Sequence, residues 1–205
     1  MTTIDHVEFL VEERSMEVAL EALLPKLLGK TTWKIHEHGG KSVLLKRLPD
    51  RLRGYSKWLP QTWRIVVVVD RDNDDCMELK SQLENIARDA GLGTRSTSST
   101  SVFHVVNRIA IEELEAWFFG DWKAVRRAYP KVSARIAGEA RYRRPDAIAG
   151  GTWEALERVL KERGYFPGGL AKITAARAIA VNMNPARNGS PSFCSLRDAL
   201  GKMAT

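Results

Sequence analysis

The sequence has few of the features that mark secreted or membrane proteins. Its 205 residues include two cysteines, Cys76 and Cys194, which are too few and too unpatterned for a disulfide framework or a zinc cluster. No apolar run reaches the roughly 18 residues that a membrane-spanning helix needs. The first residues lack the basic-then-apolar order of a secretory signal. We therefore expect a cytoplasmic protein that does not associate with membranes.

Basic residues are concentrated in one segment. The chain has a net charge of +7, and residues 123–144 contain eight Lys or Arg side chains but one acid, Glu139, so this segment accounts for the whole excess. Such a segment can neutralise the phosphates of a nucleic acid or can be a solvated helical surface, and both interpretations stay open. The basic residues are Lys123, Arg126, Arg127, Lys131, Arg135, Arg141, Arg143 and Arg144.

One apolar run ends in a cluster of acids. Residues 65–69 are five consecutive β-branched residues without polar alternation, which predicts a strand that is covered on both faces. The run is followed by Asp70, Asp72, Asp74 and Asp75. Ligands of open α/β sheets bind just beyond the carboxyl ends of the strands. This position makes the four acids candidate functional residues.

The acidic run is compatible with three kinds of site. An EF-hand loop requires Gly at its sixth position and Glu at its twelfth, where this chain has Asp75 and Ser81, so that motif is excluded. A structural interpretation makes Asp72 or Asp74 the N-cap of the following helix, but it leaves Asp70 without a role. We favour a divalent-metal site, because clustered carboxylates repel one another unless a cation neutralises them.

The remaining pattern alternates between strands and helices. Strands are expected at residues 5–12, 31–36, 65–69 and 102–106, and helices at 15–28, 38–52, 76–90, 109–120, 122–129, 152–163, 170–181 and 193–203. This order predicts an α/β domain over residues 1–121, with about four mainly parallel strands flanked by helices. Residues 122–205 are expected to form a basic, helical C-terminal extension packed on that core.

Two further segments carry candidate site residues. Residues 39–42 read Gly-Gly-Lys-Ser, but a phosphate-binding P-loop needs Gly where Ile35 stands. Lys41 is therefore either a phosphate contact or an exposed lysine in a turn. In the helix expected from Ile109, Glu112 and Glu115 share one face, with Glu113 beside them. These acids are either solvated or supply a further metal ligand.

The motifs together resemble the Toprim fold of topoisomerases, primases and overcoming-lysogenization-defect nucleases. More closely, the chain resembles a small Toprim-clan family, domain of unknown function 4276. The matching stretches are Leu10-Val-Glu12 with Glu17, Leu23-Leu-Pro25, Gly40-Lys41-Ser42, Val69-Asp70-Arg-Asp72 with Asp75-Cys76, Ile111-Glu-Glu-Leu-Glu-Ala-Trp117 with Asp121, and Ser190-Pro-Ser192-Phe193.

The resemblance implies a Toprim-like Rossmannoid fold and a set of site roles. In Toprim enzymes the glutamate after the first strand is the proposed general acid or base, and the Asp-x-Asp pair binds magnesium. These roles carry over to Glu12 and to Asp70 and Asp72. Toprim proteins usually have Gly after that glutamate, whereas this chain has Glu13. Family members are often encoded beside ATPases and are suspected in phage defence.

The leading hypothesis is a nuclease that depends on Mg2+ (or Mn2+). Its expected catalytic residues are Glu12, Asp70 and Asp72, and its expected metal ligands are these three with Asp74, Glu113 and Glu115. Contacts to DNA or RNA are expected from Lys41, Arg126, Arg127, Lys131, Arg141, Arg143 and Arg144. The alternative is a catalytically inactive Toprim-like module that binds nucleic acid, a nucleotide or a partner ATPase.

Overall fold

The sheet has four parallel strands in the spatial order β2–β1–β3–β4. They are β1 (His6–Val11), β2 (Thr32–Glu37), β3 (Trp63–Asp70) and β4 (Val105–Ala110) in a computed structural model that describes residues 3–96 and 103–203. The strands that end beside Glu12 and at Asp70 therefore lie side by side. The expected α/β class and strand number are confirmed.

The described residues contain eight α-helices, of which three connect the strands and five follow β4. They are α1 (Arg14–Leu28), α2 (Lys41–Tyr55), α3 (Cys76–Asp89), α4 (Glu115–Gly120), α5 (Trp122–Ala128), α6 (Thr152–Lys161), α7 (Lys172–Ala180) and α8 (Pro191–Gly201), with short 3-10 turns at Ala134–Gly138 and Pro145–Ala147. In this described part of the chain, no helix is long and apolar enough to cross a membrane.

Both faces of the sheet are buried, which explains the unbroken apolar run in β3. Val66 and Val68 belong to a core with α1 and α4–α8, while Ile65, Val67 and Val69 belong to a second core with α2 and α3. Side chains alternate between the faces of a strand, so a strand with a core on each side needs apolar residues at every position. The C-terminal helices share the first core with α1 and are packed on the α/β part.

The expected boundaries around β4 are wrong within the described residues, and the expected start at Val102 lies outside them. The strand extends to Ala110, which pairs with Asp70 of β3, and the helix begins only at Glu115. Register with the long strand β3 keeps residues 109 and 110 extended, so they cannot start a helix. Glu112 and Glu113 lie in the turn before α4, and Glu112 has a left-handed φ of 62°. The expected shared helical face of Glu112 and Glu115 is therefore also wrong.

Candidate functional site

The carboxyl ends of the two central strands bring buried acids together. Val11 pairs with Val68, so Glu12 lies beside the end of β3, and the Asp70 backbone N–H donates to Glu12 Oε2 at 3.4 Å. Glu12, Asp70 and Glu115 are 6%, 4% and 3% exposed. We call Glu12, Glu13, Asp70, Asp72 and Glu115 the acidic edge.

Burial makes the charged form of these acids costly. Burial, then the charge of Asp72, raises the pKa of Glu12 to about 7, and burial raises the pKa of Glu115 to about 7. Burial, then Glu12 and Glu115, raises the pKa of Asp70 well above its usual range. Asp70 Oδ1 has no hydrogen-bond partner among the described residues. Protons or a bound cation are needed to neutralise this edge.

Lys41 is a cation at the acidic edge. Its Nζ lies 2.5 Å from Asp72 Oδ2 and 2.8 Å from Asp74 Oδ2, and it donates to the Arg71 carbonyl at 3.0 Å. Gly40 precedes it with a φ of 122°, a backbone conformation that residues with a side chain rarely adopt. The side chain is 15% exposed, so Lys41 is neither a solvated lysine nor, in this conformation, a free phosphate contact.

The loops after β3 and β4 are bonded to each other. The Asp72 N–H donates to the Glu112 carbonyl at 2.9 Å, and Arg71 forms an ion pair with the Glu112 carboxylate. Asp72 and Glu112 have left-handed φ values of 50° and 62°. Such conformations in residues other than glycine cost of order 1–3 kcal/mol. The contacts between the loops hold Asp72 in this conformation beside Asp70.

Two acids of the sequence motifs cap helices. Asp75 is the N-cap of α3 and accepts from the N–H groups of Met77 and Glu78 at 2.8 and 2.9 Å. The structural interpretation that made Asp72 or Asp74 the cap is therefore wrong. Glu113 Oε2 accepts three hydrogen bonds at the start of α6, from the Thr152 N–H and hydroxyl and the Trp153 N–H. That oxygen is directed at α6.

Lys172, at the start of α7, is a site residue that the sequence did not indicate. Burial by itself lowers the pKa of its ammonium, but Glu115, then Glu13, Glu113 and Asp70, raise that pKa overall. Its Nζ lies 4.9 Å from the ring centroid of Trp153. No local motif surrounds this residue, because the packing of α7 brings it to the acidic edge.

The acidic edge suits a hard cation in chemistry but is not arranged as a metal cage. In residues 3–96 and 103–203, no group of three or more His, Cys, Asp or Glu side chains is placed to hold a metal ion, and Asp72 and Asp74 are paired with Lys41. Carboxylates are nevertheless the ligands that Mg2+ and Mn2+ prefer. The unpartnered Oδ1 of Asp70 is an available acceptor for such an ion.

Part of the basic segment lines a groove away from the acidic edge. A groove of about 960 Å³ is lined by Lys26, Arg127, Arg187 and Arg197, and we call it the basic groove. Lys123, Arg126 and Arg127 line a second depression of about 340 Å³. Lys26 is near the end of α1, and the acidic edge is at its start, so twelve residues at 1.5 Å place the two about 18 Å apart.

The other predicted nucleic-acid contacts lie on the surface. Lys131, Arg141, Arg143 and Arg144 are exposed. Arg141 pairs with Glu139 at 3.0 Å, and Lys131 Nζ lies 5.7 Å from the Tyr165 ring. Sequence reasoning missed Lys26, Arg187 and Arg197, because they come from α1 and from the segments around α8. Each has a weak local signal and joins Arg127 only in the folded chain.

Comparison with family models gives a match over most of the chain. Residues 11–201 match a family model described as Domain of unknown function (DUF4276). No curated protein matches the chain. No solved structure matches it either.

Proposed function

The chain belongs to the DUF4276 family, and from that premise and the acidic edge we propose that it is a metal-dependent nuclease. The observation that carries the proposal is that two buried carboxylates, Glu12 and Asp70, lie close together at the ends of adjacent parallel strands. One oxygen of Asp70 has no hydrogen-bond partner among the described residues. Phosphodiester hydrolysis needs carboxylates that hold a divalent cation and a base near its working pKa.

The residues of the edge have distinct roles in this proposal. Mg2+ or Mn2+, held by Glu12, Asp70 and Asp72, would supply Lewis acidity toward the phosphate. Glu12 is alternatively the base: where it does not bind the cation, its raised pKa of about 7 lets it accept a proton from the attacking water at neutral pH. Lys41 carries positive charge at the same carboxylates and would contact a phosphate oxygen only by leaving its ion pairs with Asp72 and Asp74. Lys172 balances the charge of Glu115.

The distance between the acidic edge and the basic groove supports a polymeric substrate. About 18 Å along α1 corresponds to about five nucleotide steps at 3.4 Å per step. A strand with this stacked spacing and fewer steps cannot contact both sites at once. Arg127 is exposed and has no ion-pair partner in the described part of the chain, so it is the groove cation most available to a phosphate.

The alternative is a catalytically inactive module that binds nucleic acid, a nucleotide or a partner ATPase, as in a two-component phage-defence system. The Lys41 ammonium favours it, because it already neutralises Asp72 and Asp74 where a catalytic metal would be expected. Under this alternative the lysine is a permanent structural cation. Added Mg2+ would then neither bind nor raise the melting temperature.

The direct test is cleavage of labelled single- and double-stranded DNA and RNA with Mg2+, Mn2+ or EDTA. We expect metal-dependent cleavage that Asp70→Asn and Glu12→Gln abolish. Asp75→Asn is the matched control: it changes an acid of the same run, and Asn is as good an N-cap as Asp, so cleavage should persist. Wild-type protein that neither cleaves nor binds either metal in calorimetry would refute the nuclease.

Substrate binding is tested separately by fluorescence anisotropy over a salt series. Arg126 Nε donates to the Val132 carbonyl at 3.3 Å, so its reversal also perturbs structure and Arg127→Glu is the cleaner change. Losing one phosphate contact should flatten the log–log salt slope by about 0.7–0.9. Arg88→Glu makes the same change of charge at an exposed position on α3 and should leave the slope unchanged. Equal effects of the two variants would indicate general electrostatics rather than a binding groove.

A further inference from the structure

A second pocket lies on the opposite face of the sheet from the basic groove. It has a volume of about 450 Å³ and lies between the second half of α2 and the edge strand β2. It is lined by Glu8, Lys34, His36, Arg51, Gly54, Tyr55 and Trp58, and we call it the Trp58 pocket. None of these residues belongs to the acidic edge.

One wall of the pocket is an exposed aromatic face. Trp58 is 56% exposed, although its ring lies 5.3 Å from Tyr55 and 5.7 Å, edge-on, from Trp63. These neighbours fix the position of the indole without covering it. A fixed and exposed aromatic ring is a stacking platform for a planar ligand, and base–aromatic stacking tolerates any base.

The floor of the pocket is polar and already ordered. Glu8 is 5% exposed, and its Oε2 lies 2.5 Å from His36 Nε2 and accepts from the Tyr55 hydroxyl at 3.1 Å. Burial lowers the pKa of His36, which favours the neutral imidazole. A neutral ring that donates through Nε2 keeps Nδ1 as an acceptor. An amino group of a ligand can donate to that atom.

The rim of the pocket is cationic. Lys34 is exposed on β2, and the Arg51 guanidinium lies 5.9 Å from the Tyr55 ring. The acid that lines the pocket is Glu8, which is buried and bonded to its neighbours. The accessible part therefore offers positive charge beside a flat aromatic face. A ligand that matches both features has a planar π system and an anionic group a few ångströms away.

We propose that the Trp58 pocket binds a nucleotide, with the base stacked on Trp58 and the phosphate at Lys34 and Arg51. The volume lies in the range of small-ligand sites, which begins near 300 Å³, and is too small for a duplex. The nucleotide can be free or one unit of a single strand. The pocket is separate from the acidic edge, because Glu8 in β1 and Glu12 just after β1 are four residues, or about 13 Å, apart.

The test measures binding to metal-free protein in EDTA with three probes. These are adenosine 5′-monophosphate, a labelled single-stranded hexathymidylate and inorganic phosphate. We expect Trp58→Leu to weaken nucleotide binding about tenfold to a hundredfold through lost stacking, and Trp58→Phe to retain most of it. Arg51→Ala should weaken binding and flatten the salt slope. It is the second variant if Trp58→Leu fails to fold.

The probes distinguish the two sources of the ligand, a free nucleotide and a unit of a single strand. Monophosphate binding that depends on Trp58 supports a free nucleotide, and hexamer binding alone that depends on Trp58 supports a strand. Arg88→Ala, which removes an exposed charge on α3 outside the pocket, is the matched control for Arg51→Ala and should leave monophosphate binding unchanged. Equal affinity for inorganic phosphate and the monophosphate would overturn the proposal. Nucleotide binding that Trp58→Leu leaves unchanged would also overturn the proposal. So would the absence of nucleotide binding together with self-association of the protein that Trp58→Leu abolishes.

Discussion

Glu115 offers a quantitative test of the electrostatics of the acidic edge. It is 3% exposed, and burial raises its pKa from 4.5 to about 7. An acid whose pKa is higher in the folded state stabilises the fold least when it is ionised. The contribution of Glu115 to the stability of the metal-free protein should therefore fall as the pH rises from 4.5 to about 7 and stay constant above that range. Glu115→Gln removes the charge and nearly preserves the shape.

The size of the effect follows from the pKa difference. At 1.36 kcal/mol per pH unit, a rise from 4.5 to about 7 corresponds to about 3 kcal/mol of unfolding free energy. Glu115→Gln should therefore stabilise the metal-free protein by about 3 kcal/mol at pH 8 and by almost nothing at pH 4. For a chain of this size that is a melting-temperature increase of about 6–12 °C.

The assay is urea denaturation of both proteins in EDTA at several pH values. Glu113→Gln is the matched control two residues away: its carboxylate accepts three hydrogen bonds, so this change should destabilise the protein. A gain for Glu115→Gln that is the same at pH 4 and pH 8 would show that charge is not its source. A lower stability of Glu115→Gln than of the wild type at pH 8 would show that Lys172 stabilises the Glu115 carboxylate more than burial destabilises it.

Three further predictions concern single positions. Asp70→Asn should raise the melting temperature of the metal-free protein at pH 7 and abolish any increase caused by Mg2+, both measured by thermal denaturation, whereas a lower melting temperature would mark Asp70 as a structural acceptor. Asp75→Ala should lower the free energy of unfolding, measured by urea denaturation, by about 1 kcal/mol because the N-cap is lost. Asp75→Asn should keep most of the wild-type stability. Gly120→Ala should destabilise the fold by about 1–3 kcal/mol, because its Cβ would lie 2.1 Å from Asn188 Oδ1; Gly138→Ala, with open space around it, should be close to neutral in the same assay.

Much of the fold could be predicted from local patterns. The run at residues 65–69 indicates a strand with a core on each face, and Glu12 and Asp70 each follow an apolar strand. In a parallel sheet the ends of neighbouring strands meet at one edge, so their proximity was predictable once the strands were adjacent. The error at β4 arose because a short apolar run is compatible with strand and helix, and pairing with β3 decides between them.

The surroundings of the acids could not be predicted in the same way. Glu113 binds the start of α6, and Lys172 reaches the acidic edge from the start of α7. Both contacts join segments separated by long stretches of chain, and neither is encoded by spacing or composition. Lys41 was expected to contact phosphate or solvent. The turn at Gly40 brings it instead to the loop after β3, where it meets Asp72 and Asp74.

The pairing of β1 with β3 also has a consequence for folding kinetics. His6 lies opposite Trp63, so this parallel contact closes a long loop and is expected to form slowly. Repulsion between Glu12 and Asp70 arises only when the two strands dock, and it is absent from the unfolded chain. If docking precedes the folding transition state, raising the pH will slow folding; if docking follows it, raising the pH will speed unfolding. The acidic edge thus reports when the centre of the sheet assembles.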